Sequence, residues 1–257
     1  MNADYSKYLL VAESAARLAG EFLRTHFHSV KQVDEALPHD IKLRLDKDCQ
    51  TLIATHLLKN FPESAILGEE GETGCSAAEF CWIIDPIDGT VNYFYGIPIF
   101  CVSIALQHNG KLVLGCVYDP MQDECFSAIS GQQAWLNHMP VCVSSRNRMA
   151  EAVVFIGHGT HDGSGDVGVR RFAHISRQVR KIRILGSAAL SICYIAAGRF
   201  DAYVESRINL WDFAAARVIL EAAGGTLEFT PHSADGIKGA IMAWNGKLPL
   251  HEALLMD

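Results

Sequence analysis

"WIIDPIDGTVNY", residues 82–93, runs from an apolar, strand-like segment straight into two carboxylates, Asp85 and Asp88, followed by Gly89 and Thr90. Ile83 and Ile84 read as the end of a buried strand, and acids gathered at the mouth of such a strand need a physical reason. Pro86 fixes its own φ, so the turn can aim both side chains inward and free the Ile87 carbonyl as a further oxygen donor. If a helix begins at Gly89-Thr90, its first amides make an anion site beside the acids. Three other stretches bring carboxylates: "AILGEE" ends in Glu69 and Glu70, "DIKLRLD" holds Asp40 and Asp46, and "ESRINLWDFAA" holds Glu205 and Asp212. Each acid alone has a structural role open to it. Asp88 can cap a helix or sit in a hairpin turn, Glu69-Glu70 can be a charged loop, Asp46 can cap the helix that follows it, and Asp212 can be an N-cap or first-turn acid. Together they say more, because strand ends and helix starts are where α/β folds assemble sites. Carboxylates converging in one cleft raise one another's pKa unless a cation neutralises them. An oxygen-only donor set without a His or Cys cluster suits a hard ion, Mg²⁺ ahead of zinc.

Outward from this stretch, the chain has 257 residues, is 49% hydrophobic and carries a net charge of −7. That allows one large domain or two lobes sharing a core, and argues against a protein built mainly to hold nucleic-acid backbones. The basic run Arg170, Arg171, Arg177, Arg180, Lys181 and Arg183 reads as the solvated face of a helix. No apolar stretch reaches the ~18–20 residues of a spanning helix. "MNADYSKYLLVAES" lacks the marks of a signal peptide, so the expected address is the cytoplasm, with no membrane partner. Eight cysteines without a CxxC pair read as reduced, buried thiols.

Helical spacing predicts helices over 5–26 and 47–60. Short β-rich runs from 98 to 143, "IFCVSIALQ", "KLVLGCVYD", "ECFSAI" and "VCVSS", predict an antiparallel meander turning at Asn109-Gly110, Asp119-Pro120 and Ser130-Gly131. Beyond residue 146, strands alternate with helices near 166–180, 187–197 and 212–223 and at the carboxyl end. The reading is an α+β lobe over residues 1–145, carrying most of the metal ligands, followed by an α/β lobe over 146–257.

"WIIDPIDGTVNY", with "GEE" upstream and "WDFAAARVILEAAGG" downstream, resembles the inositol monophosphatase family in motif order and spacing, from about residue 5 to the end. The resemblance implies a two-lobed αβαβα layered sandwich and a Mg²⁺-dependent, lithium-sensitive phosphomonoesterase, usually homodimeric. Carried over position by position, it implies that Glu69, Asp85, Asp88, Asp212 and the Ile87 carbonyl hold two or three Mg²⁺ ions. Asp46 would orient Thr90, which with Glu69 serves the in-line attack of an activated water. The amides of Gly89 and Thr90, with Asp88, would meet the phosphate. The loop Gly186, Ser187, Ala188 and Ala189 would line the substrate pocket, and Glu205 would bind substrate hydroxyls. The implied substrate is a small phosphorylated polyol or sugar, inositol-1-phosphate first. Fructose-1,6-bisphosphate, histidinol phosphate and 3′-phosphoadenosine 5′-phosphate are alternatives, and a catalysis-independent role in a transcription complex is an alternative of another class. The family commonly has a lysine five residues before the acid matched by Asp40, and here that place is Glu35. In an extended segment Asp40, Lys42, Arg44 and Asp46 share one face, which would let Lys42 or Arg44 supply the charge.

Overall fold

The computed structural model describes residues 4–37, 40–74, 78–157 and 165–251. In chain order, α1 (Ser6–His26) leads to a hairpin of β1 (Val33–Leu37) and β2 (Asp40–Leu43), then α2 (Arg44–Asn60), β3 (Ala65–Gly68) and β4 (Gly71–Thr73). β5 (Phe80–Asp88) and the one-turn α3 (Thr90–Phe94) precede β6 (Cys101–His108), β7 (Lys111–Asp119), β8 (Glu124–Ile129), β9 (Ala134–Leu136) and β10 (Met139–Val141). The remainder is β11 (Val153–Ile156), α4 (Gly165–Ser176), β12 (Lys181–Arg183), α5 (Ala188–Ala196), β13 (Ala202–Asn209), α6 (Leu210–Ala222), β14 (Thr226–Pro231) and β15 (Lys238–Trp244).

The strands form an eight-stranded sheet, ordered β10-β9-β8-β7-β6-β5-β3-β4, and a five-stranded sheet, ordered β12-β11-β13-β15-β14. β6 to β10 are the antiparallel meander, and its first turn has Asn109 and Gly110 both at positive φ, as a two-residue hairpin requires. Helical spacing gives α1 a face of Ala12, Ala15, Ala16, Ala19 and Leu23, which packs with α2 on one side of the large sheet. On its other side lie α5 and α6, whose Leu190, Cys193, Phe213 and Ala216 share one core with Ile83 and Val117 of the first sheet and Tyr203 and Ile241 of the second. Ile175 of α4 covers the outer face of the small sheet with Val154 and Val204. The result is an αβαβα sandwich. No described helix is long and apolar enough to cross a membrane.

Several local readings are corrected. Of "VCVSS" only Val141 belongs to a strand. The extended segment stops at Leu43, because Arg44 to Asp46 already form the first turn of α2, so Asp46 does not share a strand face with Lys42. The basic run is not one helical face: Arg177 and Arg180 lie in the turn after α4, and Lys181 and Arg183 lie in β12. Cys142 is exposed, although the other described cysteines are wholly or largely buried free thiols. Cys75 and most of the expected carboxyl-terminal helix lie outside the described residues.

The layers meet closely where α6 crosses β7: a Cβ on Gly115 would lie 2.1 Å from the Ala215 carbonyl oxygen. Gly115→Ala should therefore cost about 1–3 kcal/mol through overpacking. The expected reading is a lower urea midpoint at unchanged slope; an unchanged midpoint would mean that α6 shifts freely over the sheet.

Candidate active site

β5 pairs with β6 so that Asp85 stands opposite Ser103 and Asp88 opposite Cys101. Three residues advance on β5 for two on β6, which is a bulge at Pro86-Ile87. In a regular strand a residue three positions on faces the other way; the extra residue cancels that reversal. Both acids consequently share the face of Ile83, toward α5 and α6, while Ile84 and Ile87 turn to the α1–α2 side. The bulge also accommodates Pro86, which has no amide to donate to a ladder. Ile87 N donates to Asp85 Oδ1 at 3.0 Å, and Cys49 Sγ of α2 donates to the Pro86 carbonyl at 3.5 Å.

The other acids arrive from neighbouring ends. β3 runs parallel to β5, which puts Glu69 beside the end of β5, with its amide donating to the Ile84 carbonyl at 3.2 Å. Gln50 of α2 holds this turn, accepting from Glu70 N at 3.0 Å and donating to the Gly71 carbonyl at 3.1 Å. Asp212 is the third residue of α6 and caps it, Oδ2 accepting from Asn209 N at 2.9 Å. Asp46 does the same for α2, accepting from Leu43 N at 2.7 Å. These two acids thus fill the capping role that residue-level reading allows and also belong to the cluster. Burial, then the charges of Glu69, Asp88, Asp212 and Asp46, push the Asp85 carboxyl well up. Burial pushes Asp212 up to about 7.

Asp88 is held from across the sandwich. Its Oδ2 accepts from Ser187 Oγ at 2.5 Å, Ala189 N at 2.8 Å and Cys101 Sγ at 3.5 Å, and its Oδ1 accepts from Ala188 N at 3.0 Å. Burial raises its pKa and these donors oppose the rise. The approach to α5 is fixed by Asn92 of α3, whose Nδ2 donates to the Ile99 and Leu185 carbonyls at 2.8 and 2.9 Å. Gly89 precedes α3 in the left-handed region, with φ 101°. The Thr90 hydroxyl donates to the Ile87 carbonyl at 2.9 Å.

Beyond Asp88 and Asp212 opens a cavity of about 400 Å³ at the carboxyl ends of the parallel strands β11, β12 and β13, the place where α/β sheets form crevices. The Gly186–Ala188 loop lines one wall. Glu205, buried in that cavity, has Oε1 pinned by Ser206 N at 2.9 Å, and the Tyr203 hydroxyl lies 3.5 Å from its Oε2. Gly157 makes the room, since a Cβ there would lie 1.5 Å from Glu205 Oε2. Sequence reasoning missed Gly157, Asn92, Gln50 and Cys101. Their only local signal is ordinary: Gly157, for example, is a glycine directly after the strand-like "AVVFI".

Among the described residues, no three Asp, Glu, His or Cys side chains already close around one point as a finished coordination shell. The donor chemistry nevertheless fits a hard divalent cation: buried oxygens of one sign that raise one another's pKa, without a thiolate or imidazole among them. Of the two cations considered for the place of Glu35, Lys42 Nζ approaches Glu70 Oε1 at 3.9 Å, whereas Arg44 faces outward to Asp48 at 3.4 Å.

The raised carboxylates set a sign for stability. Between about 3.9, an ordinary Asp, and about 7, the folded chain holds more protons at Asp212 than the unfolded chain does. The stabilisation is complete below the unfolded pKa and is lost as pH rises toward the folded one. Chelated protein should therefore melt higher at about pH 5.5 than at about pH 8, and Mg²⁺ should raise the melting temperature more at the higher pH. A chelated protein that melts higher at the alkaline end would show these acids to be held ionised instead.

Residues 4–254 match the model of the inositol monophosphatase family. Inositol monophosphatase 3 of Solanum lycopersicum is 37% identical over 231 residues, covering 87% of this chain and 86% of that protein. The Thermotoga maritima protein named fructose-1,6-bisphosphatase/inositol-1-monophosphatase is 36% identical, covering 90% of this chain and 88% of that one. The crystal structure of the extragenic suppressor protein SuhB from Bartonella henselae superposes with a TM-score of 0.88 at 34% identity, covering 93% of this chain and 94% of the other. A match over nearly the whole chain, in sequence and in fold, places this protein in the inositol monophosphatase family of phosphomonoesterases.

Proposed function

We propose that this chain hydrolyses a small phosphorylated polyol or sugar, inositol-1-phosphate first, with Mg²⁺ as its cofactor. The observation that carries the reading is the β5 bulge, which sets Asp85 and Asp88 on one face beside Glu69 and Asp212, at the mouth of a cavity containing Glu205. Glu69, Asp85, Asp88, Asp212 and the Ile87 carbonyl would hold two or three ions. Bound there, Mg²⁺ supplies charge neutralisation and Lewis-acid stabilisation of the entering and leaving oxygens. Such equipment is needed, because uncatalysed monoester hydrolysis requires accelerations of up to ~10²¹-fold.

The chain's own groups do the rest. Asp88 Oδ1, which accepts one bond against three at Oδ2, is the oxygen with capacity left for a cation. The Thr90 hydroxyl, its proton given to the Ile87 carbonyl, keeps lone pairs to accept a hydrogen bond from the attacking water. The Asp46–Thr90 pairing that the resemblance implies requires this proton to turn from Ile87 to Asp46. The amides of Gly89 and Thr90 meet the phosphate, Glu69 serves the attack, and Glu205 binds a hydroxyl of the alcohol. Ser187 acts by holding Asp88 and capping α5, and Gly186 and Ala188 shape the wall of the pocket. We also propose division near residue 145 into a lobe carrying most cation ligands and one carrying Asp212 and the hydroxyl pocket, a homodimeric cytoplasmic enzyme, and sensitivity to lithium.

The test is a phosphatase screen over sugar, polyol, amino-alcohol and nucleotide monoesters with Mg²⁺, repeated after exhaustive chelation. Activity should vanish with EDTA, return with Mg²⁺ and be suppressed by Ca²⁺, which accepts longer and more numerous bonds. Undiminished turnover after chelation removes the metal reading. Glu205→Gln should lower kcat/KM on a polyol phosphate by about tenfold or more, the worth of a hydrogen bond to a charged group, and much less on an aryl phosphate without hydroxyls. Equal losses on the two esters would take Glu205 out of alcohol recognition.

A further inference from the structure

α1 lies across β6, β7 and β8, and the large sheet continues past it with β9 and β10. On the α1 face β8 presents Cys125, Ser127 and Ile129: the first and last belong to the core under α1, and residues two apart on a strand share a face. Trp135 of β9 pairs directly with Ser127, so it rises from the same face. Between the side of α1 and Trp135 opens a cavity of about 450 Å³. Leu9, Leu10 and Glu13 form its α1 wall, and Ser127 and Ile129 lie in its floor. Asp85 and Asp88 point the other way, toward α5 and α6, so this cavity is behind the sheet from the acid cluster.

Two polar groups in it lack the partners such groups ordinarily have. Ser127 is 4% exposed, and among the described residues its hydroxyl forms no hydrogen bond. Buried hydroxyls are normally paired, and the open side of this one is the cavity. Glu13 has neither a hydrogen bond nor an ion pair among the described residues. Arg17, one turn on and the natural i,i+4 partner of a glutamate, is committed to Asp123 at 3.0 Å and to the Tyr118 ring at 4.9 Å. Contact with Cys125 and burial push the Cys116 thiol up, and the Glu13 charge adds to the rise. The carboxylate is thus within electrostatic reach of the row formed by Cys116, Ser127 and Trp135. Among the described residues Glu13 is the one carboxylate lining the cavity, and no Lys or Arg lines it. Leu10 is 66% and Trp135 37% exposed, so both walls offer apolar surface still in contact with water.

We propose that this cavity binds a small organic cation, an ammonium group on an aromatic or aliphatic body. The ammonium lies between the Glu13 carboxylate and the Trp135 ring and donates to the Ser127 hydroxyl, and the body covers Leu9 and Leu10. One headgroup suits all three polar contacts: an ammonium makes a charge-assisted hydrogen bond to a carboxylate, is drawn to the face of an indole above other rings, and gives a hydroxyl oxygen a donor. An anion would be repelled by Glu13, and a neutral molecule would leave that charge unpaired. The volume is that of a small-molecule site, which favours a free amine over a folded partner. Because it opens on the other face of the sheet, the site stands whether or not the acid cluster hydrolyses phosphate.

Phenethylammonium and 2-phenylethanol, alike in size and different in charge, are the probes, titrated by calorimetry into the full chain saturated with Mg²⁺ at about pH 7.5, where the amine is charged. The cation should bind about tenfold to a hundredfold more tightly than the alcohol, the worth of a hydrogen bond to a charged group, and the gap should narrow at high salt. Glu13→Gln should erase that difference. Ser127→Ala should weaken phenethylammonium by about threefold to tenfold and leave trimethylphenethylammonium, which has no N–H to donate, within about twofold. Trp135→Leu should weaken both cations, and Trp135→Phe less so. Trp135 is the most exposed of the four tryptophans, so wild-type emission should shift on binding and that of Trp135→Phe should not. The melting temperature of each variant checks its fold. No saturable binding of either cation, equal binding of the alcohol, or undiminished binding to Glu13→Gln overturns the site. Binding seen only in chelated protein does the same, since the cation then sits among the acids. If acrylamide quenching of Trp135 falls as the chain self-associates, a second copy covers the groove and the small-molecule site falls.

Discussion

A strand alternates its side chains with period two, and a site that takes two acids three residues apart has to break that rule. The bulge at Pro86-Ile87 breaks it once. Without it, Asp88 would enter the apolar layer of Trp82, Ile84 and Leu57 beneath α1 and α2, where an unpaired carboxylate costs several kcal/mol or gives up its charge. With it, the acid faces the start of α5 and the start of α6, and the remaining groups are arranged around that placement. β3 lies parallel to β5 and delivers Glu69, while α6 delivers Asp212 from its first turn.

Gathering like charges in a buried place is costly, and the fold moderates the cost locally. Asp46 and Asp212 each accept the backbone amide at the start of their own helix, so each carboxylate meets a donor before any ligand arrives. Asp88 collects three oxygen- or nitrogen-based donors and a thiol from two different layers. Asp85 has the backbone donor Ile87 N against four acidic neighbours. Positive charge entering the cluster would offset that repulsion directly.

Much of this was legible in the sequence where the signal is local. The acids after "WII" and "AILG", the first-turn acid of "WDFAAA" and the Asn109-Gly110 hairpin each follow from a few adjacent residues. The errors arose where two local rules compete. "DIKLRLD" alternates like a strand, yet Asp46 caps α2 and draws Arg44 and Leu45 into the helix. The basic run has many cations but changes from helix to turn to strand along its length, so charge alone misled. What stayed invisible is long range: that Ser187 would hold Asp88 from 99 positions away, or that Gly157 is empty so that Glu205 can fill the space, depends on how two sheets come together.

The four-donor grip on Asp88 joins the first sheet to the helical layer beneath it through a single side chain. In a descendant of this chain, whatever the acid cluster came to hold, Asp88 would still fasten the first sheet to the start of α5. Loss of chemistry and loss of architecture are therefore unequally accessible to drift at these positions. An aspartate retained at 88 would testify to the joint between layers before it testified to any chemistry.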